Sequence, residues 1–432
     1  MRVLVTGGYG LIGSAILAEL HRDGHEVTGL GREVEVARRR FAYAGWIKAD
    51  VRRLTTPASW RPVLDGIDAV VNCLGVLQDG ARDNLRDVHV AATCALFEAC
   101  REAGIRRVIH ISMIGAEAGA PTEFARSKAA GDAYLMKLDL DWLILRPGLV
   151  LAPTAFGGSA MLRAIAACPL VTPVIGVGAP IQVVSVADIA RTVIFALKPD
   201  TPARVIWQLA HPQLHRLEDI VLALREWLGD PMRPLVRVPD WAGRVVAACA
   251  DLLSWLGWRS PARSTAFAQL TAGVLGDPQD WMTATGIKPR SLGDSLADWP
   301  SNVQERWFAR LYLLKPVAIA TLALFWILTG TVTLGPGRAA AADHLMTAGI
   351  PSALVGATVI FGGIFDVALG ILLLVRRFTR AALLVMLAVT PLYLLIGTLL
   401  APQLWLDPLG PYLKIVPVLL ATVFVLAILD ER

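Results

Sequence analysis

Charge is scarce in this chain. Only 18% of the 432 residues are Asp, Glu, Lys or Arg, against 55% hydrophobic, a balance that leans toward a membrane protein. The scarcity is uneven. Residues 311–429 carry nine charged side chains in 119 positions, and nearly all the others lie in residues 1–310, which read as a soluble part. Cysteine is sparse too. Cys73, Cys94, Cys100, Cys168 and Cys249 form no CxxC pair and are odd in number, which fits reduced cytoplasmic thiols rather than a disulfide framework. The seven histidines take no spacing such as HExxH, so no metal site is expected. No long basic run carries the net charge of +5, which argues against nucleic acid as a partner. A strand-like segment from Arg2 leaves no signal peptide to expect. The length calls for two or three domains.

What is present begins at once. "RVLVTGGYGLIGSAILAELHRDGHEVTGLGR" reads as strand, turn, helix, turn, strand. "RVLV" is apolar and β-branched, as a buried parallel strand should be. The turn carries Gly7, Gly8, Gly10 and Gly13. Glycines let the backbone bend tightly and approach a pyrophosphate, and the helix behind them offers amides and a positive dipole end. Bracketed by two strands and a helix, the pattern points to a dinucleotide site. At the end of the second strand a carboxylate suits a ribose 2′-hydroxyl and an arginine a 2′-phosphate. Gly31 stands in the carboxylate place, Arg32 follows and Glu33 is one residue late. NADP(H) is therefore favoured over NAD(H), the alternative for Arg32 being a solvated loop charge.

Strands and helices continue to alternate. "AGWIKADVRR" puts Asp50 just past a strand; "IDAVVNCLG" ends in Asn72 and Gly75, "RRVIHISMIG" at Ser112, and "DWLILRPGLVL" holds Arg146 and Pro147. This βα alternation argues for an α/β fold, a Rossmann-type doubly wound parallel sheet with its ligands outside the carboxyl ends of the strands. The soluble part divides into a dinucleotide-binding domain over 1–150 and a substrate-side region over 151–300. In the latter, "VVSVADIARTVIFAL" reads as strand then helix, with Asp188 structural at the helix start. "PDWAGRVVAACADLLSWLGW", 239–258, carries Trp241, Trp255 and Trp258 beside Arg244, Arg259 and Arg263. It fits ordinary core packing and a helix lying on a membrane equally well.

The ordered set "TGGYGLIG", "ADV", "NCLG", "HIS", "SK" and "LRPG" resembles the short-chain dehydrogenase/reductase superfamily over about residues 1–295. The nearer likeness is to its atypical extended members, the group of the 39-kilodalton subunit of respiratory complex I and the NmrA-like regulators. The resemblance implies nucleotide contacts from Thr6, Gly7, Gly10, Leu11, Ile12 and Gly13. It adds Arg32, Asp50 and Val51, then Cys73, Leu74, Gly75, Lys128 and Pro147. In catalytic relatives a serine holds the substrate carbonyl, a tyrosine protonates it, a lysine binds the nicotinamide ribose, and an asparagine completes a proton relay. Ser112 and Lys128 match the serine and lysine. Phe124 stands for the tyrosine and His89, in "DVHVAAT", for the asparagine. The usual general acid is thus missing, and such help is typically worth ~10²–10⁴-fold. His89 either replaces it or merely caps and packs.

From residue 306 to 432 the chain reads as a membrane domain with four spans, at 316–334, 352–375, 381–406 and 415–429, the last short. Arg306, Arg310 and Lys315 precede the first span, and Arg376, Arg377 and Arg380 separate the second from the third. This bias puts both termini and the soluble part in the cytoplasm, with the bundle in the cytoplasmic membrane. "RLYLLKPVAIATLALFWILTGTVTL" and "GIFDVALGILLLVRR" resemble the DoxX-like family, a four-helix unit with some relatives linked to quinone. Asp366, about 15 Å by helical rise inside the cytoplasmic edge, is either a functional carboxyl or a hydrogen-bonded packing residue. Three readings follow. One is a membrane-tethered oxidoreductase passing hydride to quinone or another hydrophobic acceptor. Another is a non-catalytic nucleotide module among membrane-complex subunits. The weakest is nucleotide-sugar chemistry.

Overall fold

The computed structural model describes residues 1–80, 84–175, 178–258 and 260–429. Arg259, one of the arginines expected beside the tryptophan-rich helix, lies outside them. The chain divides into two compact units, Met1–Leu252 with Ser260–Ala309, and Leu253–Arg259 with Arg310–Arg432.

The first unit opens with β1 (Arg2–Thr6), β2 (Glu26–Gly31), β3 (Gly45–Lys48), β4 (Ala69–Asn72), β5 (Arg107–Ile111) and β6 (Asp141–Pro147). There follow β7 (Leu149–Leu151), β8 (Thr172–Ile175), β9 (Val183–Ser185), β10 (Val205–Leu209) and β11 (Leu235–Val238). Seven of them form one sheet in the order β10-β6-β5-β4-β1-β2-β3, with every pairing parallel. β11 pairs with β8 and β7 with β9. The helices between them are α1 (Leu11–Arg22), α2 (Val34–Arg40), α3 (Pro57–Leu64), α4 (Thr93–Glu102), α5 (Glu123–Leu135) and α6 (Gly158–Ala166). Then come α7 (Val186–Ala196), α8 (Leu217–Trp227), α9 (Asp240–Trp255), α10 (Ser264–Ala272), α11 (Gln279–Thr285) and α12 (Leu292–Ala297).

The middle positions of the central strands β1 and β4, Val3 to Val5 and Ala69 to Val71, are apolar because both faces are covered. In β1, Val3 and Val5 point into a core with Ile16 and Leu17 of α1 and Ile189 and Val193 of α7. Leu4 points the other way, into a core with Trp60, Leu96, Phe97 and Leu135. Full burial of one such aliphatic side chain is worth about 1.5–3 kcal/mol. Strand β10 lies beyond residue 150 yet completes this sheet, so the regions expected at 1–150 and 151–300 share one unit. The strand and helix expected around Asp188 are β9 and α7, and its buried carboxylate accepts from the Arg290 amide at 2.8 Å.

The tryptophan-rich segment is the helix α9, and it does not pack as a core helix. Gly243, Ala247 and Ala250 are buried, while Trp241, Val245 and Leu252 are exposed. Arg263, which the membrane-surface alternative set beside this helix, bonds Asp251 of α9 through Nε at 2.9 Å.

The second unit is helical. It comprises most of α13 (Val303–Leu334), then α14 (Arg338–Thr347), α15 (Ser352–Leu374), α16 (Arg376–Leu400) and α17 (Ile415–Ala427). Three of these, α13, α15 and α16, are long and apolar enough to cross a membrane. The fourth expected span corresponds to α17, whose 13 residues make a rod of about 20 Å, shorter than a ~30 Å hydrocarbon layer. Helix α14 was not expected. Its alanine-rich start, "RAAAAD", favours helix locally without supplying a span.

Candidate functional site

The order of the sheet reverses between β1 and β4, and such a reversal opens a crevice at the carboxyl ends of the two strands. The turn after β1 lines it. Gly7 sits at φ +66, and a Cβ there would lie 2.8 Å from the Cys73 carbonyl, so only glycine lets the turn and the β4 loop approach. The Gly10 amide closes the turn onto the Gly7 carbonyl at 2.9 Å. Gly10 then caps α1 without a side-chain hydrogen bond, and the first turn of α1 has no acidic residue. The amides of Leu11, Ile12 and Gly13 therefore lack intrahelical acceptors as well as a side-chain cap. This is the arrangement that suits a phosphate. Thr6 at the end of β1 donates its hydroxyl to Asn72 Oδ1 at 2.6 Å.

Toward the adenosine end the structure adds a residue the sequence did not single out. A Cβ built on Gly31 would overlap the Tyr9 ring. The Tyr9 hydroxyl accepts from the Arg32 amide at 3.2 Å. Tyr9 thus occupies the space that a carboxylate side chain at the end of β2 would use. Asp50 follows β3 and takes the Arg52 side chain, Nε lying 3.0 Å from Oδ1; this arginine holds its carboxyl below the usual range. Val51 is buried behind it.

Across the crevice lie the residues matched to the family's catalytic set. Lys128, on α5, is buried, and its Nζ donates to the carbonyls of Leu74 at 2.8 Å and Ile111 at 2.9 Å. It therefore clamps the loop of Cys73, Leu74 and Gly75 to the end of β5. Burial brings its pKa down to about 8, against the pull of Asp132 and Cys73. Burial likewise pushes the Cys73 thiol up to about 12, so it stays protonated. Pro147 ends β6, and its carbonyl accepts from the Ile114 amide at 3.2 Å.

Ser112 follows β5 but turns inward, donating its hydroxyl to Asp132 Oδ2 at 2.9 Å. His89 sits on a π-helical turn, Asp87–Ala92, that leads into α4. Its Nε2 accepts from the Val76 amide at 3.0 Å, and Nδ1 lies 2.9 Å from Ser127 Oγ. An amide can only donate, so the neutral ring carries its proton on Nδ1 and gives it to Ser127. Burial, with Lys128 close by, holds the imidazole well below its ordinary pKa. Both ring nitrogens of His89 are thus engaged within the fold. Phe124 lies beside it, the ring centroids 5.6 Å apart and the ring planes tilted by 60°.

A buried polar chain underlies these residues. Asn72 Oδ1 takes the Thr6 hydroxyl and the Leu74 amide, and its Nδ2 lies 3.1 Å from His110 Nδ1. His110 Nε2 points to Asp132 Oδ1 at 3.5 Å. Arg146 grips Asp132 Oδ2 with Nε at 3.1 Å and Nη2 at 2.8 Å. The chain ties together the carboxyl ends of β1, β4, β5 and β6. Asp132 was missed in the sequence, where the signal was a carboxylate one helical turn after Lys128 on the same face.

In the second unit Asp366 is buried within α15 and accepts from the Tyr393 hydroxyl of α16 at 3.4 Å.

Comparison with known proteins agrees with these two sets of features. Residues 7–199 match the NAD(P)H-binding family and residues 323–423 the DoxX-like family. UDP-glucose 4-epimerase of Mycolicibacterium smegmatis is 32% identical over 183 residues, 35% of this chain and 57% of that protein. The present chain therefore spans little more than half of that relative. Sterol demethylase protein B of Methylococcus capsulatus is 26% identical across 71% of this chain and 99% of that protein. A mitochondrial NADH dehydrogenase [ubiquinone] 1 alpha subcomplex subunit 9, from Mus musculus, is 29% identical across 43% of this chain and 50% of its own length. Among solved structures, Thermus thermophilus UDP-glucose 4-epimerase, a complex with NAD, superposes with a TM-score of 0.52 at 20% identity, covering 70% of this chain and 100% of that one. That likeness speaks for the fold. The chain joins an NAD(P)-binding Rossmann domain of the short-chain dehydrogenase/reductase type, akin to the complex I subunit, to a C-terminal DoxX-like membrane domain.

Proposed function

We propose that this chain is a membrane-bound NAD(P)H oxidoreductase of the atypical short-chain type whose acceptor is lipid-soluble, a quinone before others. One observation carries the reading: an uncapped helix start at a dinucleotide crevice shares a chain with helices apolar enough to span a bilayer. Joining the two raises the local concentration of a membrane-dissolved acceptor. The names of two relatives, sterol demethylase and a ubiquinone-linked dehydrogenase subunit, also concern hydrophobic molecules.

A reduced nicotinamide nucleotide supplies a hydride when bound. The residues of this chain would hold and orient it. The amides of Leu11, Ile12 and Gly13 would receive the diphosphate. Lys128, whose Nζ donates to the Leu74 and Ile111 carbonyls at the crevice, would hold the ribose. Gly31 offers no carboxylate, Tyr9 fills the space beside it and Arg32 follows, a set that supports NADP(H) over NAD(H). With Phe124 in the tyrosine place, a simple ketone would lack its proton donor. A quinone takes its protons from solvent and needs no positioned phenol. The basic residues in the first part of α13, Arg306, Arg310 and Lys315, and at the start of α16, Arg376, Arg377 and Arg380, support a soluble domain on the cytoplasmic side of the cytoplasmic membrane.

A second reading is a non-catalytic NADP(H)-binding module that steadies or senses for a membrane complex. It is favoured by the inward hydrogen bonds of Ser112 and His89, which leave neither facing a substrate. The test uses the full chain in detergent. NADPH binding is measured first, then oxidation with several quinones at the reduced-nicotinamide absorbance. Steady oxidation supports the enzyme. Binding without turnover with any quinone selects the module. Failure to bind either nicotinamide nucleotide sinks both.

A further inference from the structure

Helix α9 is built inside out for a soluble protein. Its inward stripe is small: Gly243, Ala247 and Ala250, recurring at helical spacing, with Ala247 4% and Ala250 6% exposed. A Cβ on Gly243 would lie 3.2 Å from both Ile175 and Phe267, so the helix is seated closely on that face. Its large apolar side chains look outward. Trp241 is 67% exposed, Leu252 70% and Trp255 78%, with Val245 and Val246 also exposed between them. Ordinary amphipathicity would turn these residues inward and the alanines out. A contiguous apolar stripe of this size on an exposed helix marks a contact surface.

We infer that α9 is an in-plane membrane helix, its outward face seated in the headgroup and upper acyl region of the phospholipid bilayer that the chain itself spans. Three observations choose lipid over another occupant. The stripe carries a tryptophan near each end, and tryptophan favours the membrane interface. Arg244 is exposed on its flank, suited to anionic headgroups. The helix also runs on into the residues that group with the membrane helices, Leu253–Arg259. There Trp258 Nε1 donates to the Leu374 carbonyl at the end of α15, at 2.6 Å, and the Arg376 amide donates to the Leu256 carbonyl at 3.0 Å. Leu374 and Arg376 bracket the junction of two bilayer-length helices, where a span meets the interface. The polar edge of α9 is held by the nucleotide domain: Asp251 accepts from Gln78, in the loop after β4, at 2.9 Å, and from Arg263. Lipid seating of α9 therefore reaches the loop that borders the nucleotide crevice. The inference is independent of whether hydride transfer occurs.

The test is spin labelling of the full chain in vesicles of phosphatidylcholine and phosphatidylglycerol. One label goes on the native Cys249, which is exposed on α9. A second goes on Leu252→Cys in a Cys249→Ser background, and a control on the exposed Ala130→Cys of α5. Collision rates with oxygen and with a water-soluble nickel chelate are compared. Oxygen-rich, nickel-poor signals at 249 and 252, shifted clearly from the control, are expected. Nickel access equal to the control overturns the inference. Loss of access to both reagents with spin–spin broadening also overturns it, by assigning the face to a second copy of the chain. Neither readout depends on nucleotide or turnover, so its failure is distinct from failure of the proposed reaction.

Discussion

Tyr9 and Gly31 act as a pair. The ring rests where a β2 carboxylate would stand, so Gly31→Asp alone must push Tyr9 aside. We expect that variant to weaken binding of both nucleotides. Tyr9→Ala combined with Gly31→Asp is expected to move preference toward NADH, read as a ratio of dissociation constants. Arg32→Ala should raise the NADPH constant about 10- to 150-fold and leave NADH little changed, because one charge-assisted contact to a 2′-phosphate is worth about 1.5–3 kcal/mol. The two buried histidines set a pH dependence. Burial depresses the pKa of both His89 and His110 well below 6.5 in the folded chain. The unfolded chain therefore binds more protons below pH 6.5, and stability falls as the pH drops through that value. Thermal unfolding of the full chain at neutral and mildly acid pH measures this slope. His89→Asn is expected to flatten it; Asp132, pushed up by burial, contributes with the opposite sign and stays in place.

At the scale of elements, the buried chain from Thr6 to Arg146 holds four strand ends and α5 in register around the crevice. Arg146→Leu leaves Asp132 buried without its cation, and breaking such a pair costs about 3–5 kcal/mol. Ser112→Ala removes one neutral donor to the same carboxylate and should cost about 1–3 kcal/mol. If both variants unfold alike, the carboxylate is held by its remaining partners and the stapling role is wrong. The sequence made β1, α1, β2 and the alternation legible, because a β-branched run before a glycine turn admits few alternatives. It marked Ser112 and Lys128 by spacing. It could not tell that Ser112 turns inward, since that depends on Asp132 arriving from a helix twenty residues later. Nor could it orient α9, whose alanines and tryptophans fit either face until packing chose.

At the scale of the whole molecule, the prediction concerns the bilayer. Asp366→Asn keeps the shape and the Tyr393 partner, so insertion should be unchanged. If the carboxyl handles protons or an acceptor headgroup, NADPH–quinone turnover falls while NADPH affinity stays the same; unaltered turnover makes it a packing residue. Orientation is read separately. A cysteine placed at Ala341, in helix α14 between the first two long helices, should react with a membrane-impermeant maleimide added outside whole cells. Protection there would put the nucleotide domain on the wrong face.

By itself the sequence determined the class of each half. Periodicity, glycine placement and charge depletion are local properties, and local sterics and hydration convert them directly into a dinucleotide turn and bilayer-length helices. Only the tertiary structure decided which side chains meet: Tyr9 over Gly31, Asp132 between Ser112 and Arg146, His89 tied at both nitrogens, and the large side chains of α9 turned outward. Those contacts join residues far apart in the chain. Their energies come from close packing and from burying paired polar groups, quantities that exist only once the elements are assembled.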